Sequence, residues 1–449
     1  MKKGSIASKI WIGAFSFFLW VNSSAETLLP QNMKSMSVGN VDCASSTCHG
    51  SVVPWNQSSV LQNEYLTWKN ADRHSQSYQG LLSQKSIQIA KKLSLPQPAH
   101  LTTQCLNCHT HNPDKKFQGA NFSLQDGVGC ESCHGNAEKW GVSHTKKGVT
   151  HQENIKNGLY PTSQPVALAK LCNSCHVGNT TNFASHRLMA AGHPRLSIEI
   201  NTFLKIQPPH YLVDEDYKFR KGDISPVKKW AIGQAETITA RLEMLSDPKR
   251  NHQGIFPELA LFECSACHHP LGSQQRTSKI NQAPGVLRLN DSGLLMLRAI
   301  IQVAFPDKLG QFNSLVTGLD QSLSEKNTLA NPLENIQDNT KKLLLFIQQM
   351  VPALEAYPFR PEKIREIFLA LVKGSPDYSN YADAEQAYMA LSSIGEVYLQ
   401  NYSKNAIQIK NSMAQLSKEL ANKDQFQSQN FIKEYSKFTQ FLQVQNGVQ

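Results

Sequence analysis

Every cysteine of this chain of 449 residues belongs to a pair that is followed at once by a histidine. Four pairs have the form Cys-x-x-Cys-His, and the first pair has two more residues between its cysteines. The five motifs, in chain order, contain Cys43 and Cys48, Cys105 and Cys108, Cys130 and Cys133, Cys172 and Cys175, and Cys264 and Cys267, and they close with His49, His109, His134, His176 and His268. No cysteine is left over, so the sequence does not predict a disulfide framework.

The spacing within the motifs is that of covalent haem attachment. Two thiols about one helical turn apart can bond to the two vinyl groups of a haem, and the histidine that follows can bind the iron. Zinc held by cysteine and histidine is the competing interpretation, but zinc does not require a histidine directly after each pair. The sequence therefore predicts five covalent haems c, with iron as the metal and the motif histidines as proximal ligands.

Each haem iron needs a sixth ligand or keeps an open face. The chain has 15 histidines, so ten remain after the five motif histidines are set aside. His210 and His252 lie in loops that contain proline or asparagine, and a role outside iron ligation is favoured for them. No catalytic residue is identified. The candidate distal ligands are His74, His144, His186, His193, His269, His100 and His111.

The first 25 residues have the pattern of a secretory signal peptide. Three lysines precede an apolar run of about a dozen residues at 10–21, and a small-residue cleavage site, Ser23-Ser24-Ala25, follows it. The run is too short for a membrane span, although an uncleaved anchor is the alternative. We therefore expect an exported, periplasmic protein whose mature chain starts near Glu26.

The positive charge of the chain is a poor guide to its partners. The formal charge is +10, and removal of three signal lysines leaves 42 basic and 35 acidic residues, or +7. Ten propionates from five haems would more than cancel this excess. Since no block rich in lysine or arginine stands out, nucleic acid is not a predicted partner.

The pattern of residues divides the mature chain into two predicted domains. Residues 26–285 hold all the motifs and are rich in turn-forming residues, which predicts a loop-rich pentahaem domain with short helices packed by haem, including a helix from Tyr65 to Lys92. Residues 286–449 have no cysteine, and their apolar residues recur at helical spacing. We expect a mainly α fold that ends in an all-α region, which serves either as a packing module or as a docking or dimerisation surface.

Several segments resemble those of a known family. They are CASSTCHG, WKNADRHSQSY, CLNCH, DGVGCESCHG together with the following His144, CNSCHVG, HRLMAAGHPRLSIE, CSACHHPL and YADAEQAYMAL. Together they resemble the multihaem cytochromes c grouped with the tetrahaem cytochrome of nitrifying bacteria, a superfamily that includes hydroxylamine oxidoreductase and pentahaem nitrite reductase.

The resemblance implies a largely helical fold, haems in parallel and perpendicular pairs, and mostly bis-histidine irons. It suggests His74, His144, His186 and His193 as distal ligands, because these lie in the matching segments. The fifth motif and the long helical tail depart from the tetrahaem carrier and are more similar to the enzymes. The chain lacks the Cys-x-x-Cys-Lys motif of the nitrite reductases, and no match identifies the cross-linking tyrosine of hydroxylamine oxidoreductase.

Two functions remain in view from the sequence. The first is electron transfer between redox partner proteins through five six-coordinate haems. The second is an oxidoreductase that acts on a small nitrogen or sulfur compound at one open haem. Association with a membrane surface or a respiratory complex, and homo-oligomerisation, are left open.

Overall fold

The protein is mainly α-helical, as the sequence predicts. The predicted signal peptide, His252 and His269 lie outside the described residues. Within the described residues, β structure is limited to two isolated bridges, Ser37 with Gln118 and Phe262 with Leu289. The computed structural model describes residues 28–249, 258–268, 288–324, 332–401 and 406–438.

The first half of the chain contains mostly short helices. They are α1 (Glu64–Ala71), α2 (Ser77–Leu81), α3 (Gln84–Lys92), α4 (Thr103–His109), α5 (Cys130–His134), α6 (Trp140–Ser143), α7 (His151–Lys156), α8 (Pro165–His176), α9 (His186–Ala190), α10 (Ile200–Ile206), α11 (Glu215–Lys221) and α12 (Pro226–Ser246).

The helix predicted from Tyr65 to Lys92 is wrong as one continuous element. It is divided into α1, α2 and α3. Asp72 ends α1 in an extended conformation, and its carboxylate accepts a hydrogen bond from the backbone N–H of His74. Ser83 caps α3 in the same way, through the N–H of Ser86. Short polar side chains compete for backbone groups and so start new turns inside an apolar pattern.

Helical turns place the two thiols of most motifs. The second motif ends α4, the third forms all of α5, and the fourth ends α8. Cys264–Ala266 of the fifth motif form a 3-10 turn. In each case about one turn separates the cysteines, so both thiols can reach one edge of a single planar group.

Around the first four motifs, the described residues form small apolar clusters. One groups Tyr78, Leu81, Ala90, Ala99 and Leu106, and two others contain three buried residues each. In contrast, one large cluster runs from Val227 to Phe438. This difference agrees with the expectation that the region of the motifs does not build an ordinary side-chain core.

The large cluster is a bundle of long helices. Its later members are α13 (Ser292–Ala304), α14 (Leu309–Ser324), α15 (Pro332–Ala356), α16 (Pro361–Lys373), α17 (Tyr381–Asn401), α18 (Ala406–Glu419) and α19 (Ser428–Ser436). None of the helices in the described ranges is long and apolar enough to cross a membrane.

Helix α12 connects the bundle to the motifs. It lies before the boundary predicted at residue 285, yet its Trp230 and Ile238 are buried in the same cluster as the later helices. It also packs on α8, where the hydroxyl of Thr237 donates to Asn173 Oδ1 at 3.2 Å. Because α8 ends at the fourth motif, the bundle supports the position of that motif directly.

Candidate haem sites

Each histidine that closes a motif faces a second histidine from another part of the chain. The centres of the two rings lie 6.2 to 6.4 Å apart in all five pairs. The pairs, from the first motif to the fifth, are His49 with His144 (6.2 Å), His109 with His193 (6.4 Å), His134 with His210 (6.4 Å), His176 with His74 (6.2 Å) and His268 with His186 (6.2 Å).

These spacings match two imidazoles on opposite sides of one metal ion. A first-row metal binds an imidazole nitrogen at about 2 Å, and that nitrogen lies about 1.1 Å from its ring centre, so the two ring centres lie about 6 Å apart. The residues present therefore fit a haem iron with two axial histidines at every motif. Direct contact between the rings would not require so regular a gap.

Four of the candidate distal histidines reach a motif histidine. His74 approaches the fourth motif, His144 the first, His186 the fifth and His193 the second. His186 begins α9 and His193 follows its end, where Gly192 has a φ of +121°. The positive φ turns the chain, so the two histidines face different motifs although they are seven residues apart.

His210 faces His134, although the sequence favoured another role for it. Its loop is anchored by a bond from the N–H of Leu212 to the carbonyl of Ser59 at 3.1 Å. This contact joins residues far apart in the chain, and no local motif marks it. The short Pro-Pro segment before His210 indicated a loop, which is correct, but a loop can still present a ligand.

Within the described part of the chain, His100 and His111 are not paired with a motif histidine. His100 packs edge-on against the ring of Tyr78. His111 is 6% exposed, and its Nε2 makes a 2.9 Å hydrogen bond with Asn136 Oδ1. The protein thus holds Nε2 of His111 by a hydrogen bond, and it holds His100 by contact with an aromatic ring.

The Nδ1 atoms of several paired histidines are held by hydrogen bonds. Backbone carbonyls are the partners of His109 (Ser77 at 3.0 Å), His144 (Trp140 at 3.2 Å) and His193 (Pro194 at 2.8 Å). Since Nδ1 donates to a carbonyl, Nε2 is left as the acceptor that faces the partner ring. This orientation suits a metal ligand.

Two paired histidines have carboxylate partners instead. Nδ1 of His49 lies 3.0 Å from Glu64 Oε2, and Nδ1 of His74 lies 3.0 Å from Asp72 Oδ1. The hydrogen bond with Glu64 raises the pKa of His49, and that with Asp72 raises the pKa of His74. Burial raises the pKa of Asp72, but hydrogen bonds from His74 and Gln207 outweigh burial and hold this pKa at about 2.

Burial keeps other paired histidines neutral. With a smaller contribution from His210, it lowers the pKa of His134 to about 3. With a contribution from His74, it lowers the pKa of His176 to about 4. A metal binds the neutral imidazole, so these sites are ready for a metal at neutral pH without losing a proton.

Contacts between motifs place them in a spatial order. Cys43 lies within hydrogen-bonding reach of Cys130, which joins the first motif to the third. Cys133 lies near the cysteines of the fourth motif, and Cys108 and Cys175 join the fourth to the second. His193 and His186, at the two ends of the α9 segment, face the second and fifth motifs, so this segment joins these two motifs. The order is first, third, fourth, second, fifth.

Helix α17 of the bundle holds the segment that follows His193. Glu385 accepts hydrogen bonds from Arg195 and Ser197, both at 2.6 Å. Ser393 donates to Glu199 at 2.7 Å. These contacts support the expectation that the helical region is a packing module, since it fixes the backbone beside a paired histidine.

Comparison with known proteins supports a c-type cytochrome. Residues 42–135 match the family described as cytochrome c554 and c-prime. The match covers 94 of the 449 residues (42 to 135) and includes the first three motifs. It supports covalently bound haem c with iron, and a role in electron transfer with redox partner proteins. No curated protein and no solved structure matches the chain.

Proposed function

We propose that this protein is an exported, periplasmic electron carrier with five covalent haems c, each bound by two axial histidines. The observation that carries the proposal is the set of five histidine pairs with ring centres 6.2 to 6.4 Å apart. A carrier needs irons that change charge without exchanging ligands, and a second histidine across from each motif histidine meets this need.

Haem, when bound, supplies a one-electron couple at each site. The chain's own residues do the rest: the paired cysteines hold the cofactor and the paired histidines orient it. Hydrogen bonds at Nδ1 then prevent the rings from rotating. The order first, third, fourth, second, fifth makes a continuous relay, with the first and fifth sites as its two ends.

The alternative function, oxidation or reduction of a small nitrogen or sulfur compound, requires one iron with a free axial position. Every motif histidine in the described part of the chain has a histidine across from it. The five pairs therefore favour the carrier, and no further observation favours a catalyst.

A ligand challenge tests the proposal. The purified holoprotein, oxidised or reduced, is mixed with nitrite, hydroxylamine, cyanide or carbon monoxide while its haem absorption is recorded. We expect no spectrum of a ligand-bound haem with any of them, because the sixth position of each iron is filled. Saturable binding to one haem would overturn the carrier and favour the oxidoreductase.

Export is tested separately. We propose cleavage after Ala25, on the pattern of lysines, apolar run and small residues at the N-terminus. N-terminal sequencing of protein recovered from the periplasm is expected to begin at Glu26. Recovery of the full chain in the membrane fraction would favour an uncleaved anchor.

A further inference from the structure

The five histidine pairs differ in the groups that hydrogen-bond to their Nδ1 atoms. Carboxylates serve His49 and His74, while backbone carbonyls serve His109, His144 and His193. We propose that Glu64 and Asp72 are positioning residues that lower the reduction potentials of the first and fourth haems. This inference rests on the proposed function, because it needs an iron bound between the histidines of each pair.

Asp72 is built to keep its carboxylate in place. It is 7% exposed and accepts three hydrogen bonds. Oδ1 accepts from the backbone N–H of His74 at 3.0 Å and lies 3.0 Å from Nδ1 of the same residue, and Oδ2 accepts from Gln207 Nε2 at 3.0 Å. With both oxygens occupied, the carboxylate cannot turn away from the ring of His74.

Glu64 is held in a similar way at the other end of the same helix. It is the first residue of α1, and Asp72 directly follows the last. Oε1 of Glu64 accepts from the N–H of Leu61 at 2.8 Å and of Gln62 at 3.1 Å, which leaves Oε2 for Nδ1 of His49 at 3.0 Å. One helix of eight residues thus brings a carboxylate to each of two different pairs.

A carboxylate at Nδ1 changes the imidazole that faces the iron. It draws the Nδ1 proton toward itself and makes the ring more basic and more anionic. A more anionic ligand stabilises ferric over ferrous iron, so the potential falls. A carbonyl accepts the same hydrogen bond without a full negative charge, and its effect is weaker. Burial strengthens the difference, because solvent screens it less.

The positions of the two carboxylates determine which steps of the relay they affect. The fourth site lies next to the second, where both histidines, His109 and His193, have carbonyl partners. Lowering the potential of the fourth site makes electron transfer from it to the second site more favourable. The same change makes electron transfer into the fourth site from the third less favourable, so Asp72 acts on both steps at the fourth site.

The test compares Asp72→Asn and Glu64→Gln with the unaltered holoprotein in a redox titration followed by electron paramagnetic resonance. In each variant we expect one low-spin couple to move to higher potential, a different one in each. A tenfold change in its equilibrium constant is about 59 mV for one electron. The control is Asp114→Asn, which removes an exposed carboxylate paired with Lys116 at 3.5 Å and is expected to shift none.

Unchanged potentials in both variants, with all low-spin signals retained, would overturn the inference. If Asp72→Asn instead released His74 and gave a high-spin signal, Glu64→Gln at the other end of α1 would decide alone. Failure of the proposed function would look different, because the unaltered holoprotein would then itself contain a high-spin iron that binds small ligands.

Discussion

Replacing His210 by alanine should open one haem of five while the haem itself stays attached. Cys130 and Cys133 still hold the cofactor, and His134 remains on the other side. The 6.4 Å between the ring centres of His134 and His210 leaves room for one iron, and among the described residues no other histidine ring is paired with His134. The third iron of the His210→Ala variant should therefore lose its sixth ligand.

The size of the effect follows from the number of motifs. One iron of five changes from low to high spin, so about a fifth of the total iron signal should move. The fold should remain, because His210 lies in a loop outside the buried clusters. The assay is electron paramagnetic resonance of the oxidised variant with the high-spin signal integrated against total haem. Added imidazole should fill the vacated position and restore the low-spin signal.

His100→Ala is the matched control. His100 packs on Tyr78 rather than on a motif histidine, so its loss should leave every iron low-spin. If His210→Ala keeps five low-spin irons, or if His100→Ala produces the high-spin signal instead, His210 is not the sixth ligand of the third iron.

Three further predictions concern stability and pH. Glu131→Ala should lower the free energy of unfolding of the holoprotein by about 3 kcal/mol or more in a denaturant titration. The buried carboxylate accepts hydrogen bonds from Ser37 Oγ and from three backbone N–H groups, and all four donors would lose their partner. A decrease below about 1 kcal/mol would contradict this prediction. Trp230→Ala should lower the free energy of unfolding by about 3–5 kcal/mol, because removal of this buried side chain leaves a cavity beside α12. The haem absorption of the folded variant should be unchanged. Altered haem absorption would show that the helical bundle does more than pack. Burial, with a contribution from Asp291, raises the pKa of Asp320 to about 7, so folding favours the protonated form of this side chain. The stability of the protein should therefore fall as the pH rises from about 4 toward 7. The melting temperature of Asp320→Asn should fall less over this pH range than that of the unaltered protein, and equal slopes would contradict the assignment.

Local patterns predict the local parts of the structure well. The motif spacing predicts turns that bring two thiols together, and α4, α5 and α8 provide them at three motifs. Helix α16 begins at Pro361 and ends at Lys373 before Gly374, and proline at a helix start and glycine after its end are local signals of such bounds. The resemblance to the multihaem cytochromes suggested His74 and His144 as distal ligands, and each of them faces a motif histidine.

The long-range parts could not be read in the same way. The position of His210 across from His134 depends on a loop whose Leu212 is hydrogen-bonded to Ser59, about 150 residues earlier in the chain. His111 has the same residue type as a ligand, but its Nε2 meets Asn136, and only tertiary packing brings these two together. The carboxylates that contact His49 and His74 are near in sequence, and acidic residues close to a candidate ligand could have suggested them.

The most direct test of five bis-histidine haems is a count of spins and haems on the same purified sample. Intact-protein mass gives the number of haems attached, and electron paramagnetic resonance of the oxidised protein gives the number of low-spin irons. We expect five haems and five low-spin irons, with no high-spin iron. Fewer than five haems, or one high-spin iron among five, would contradict the presence of five bis-histidine haems.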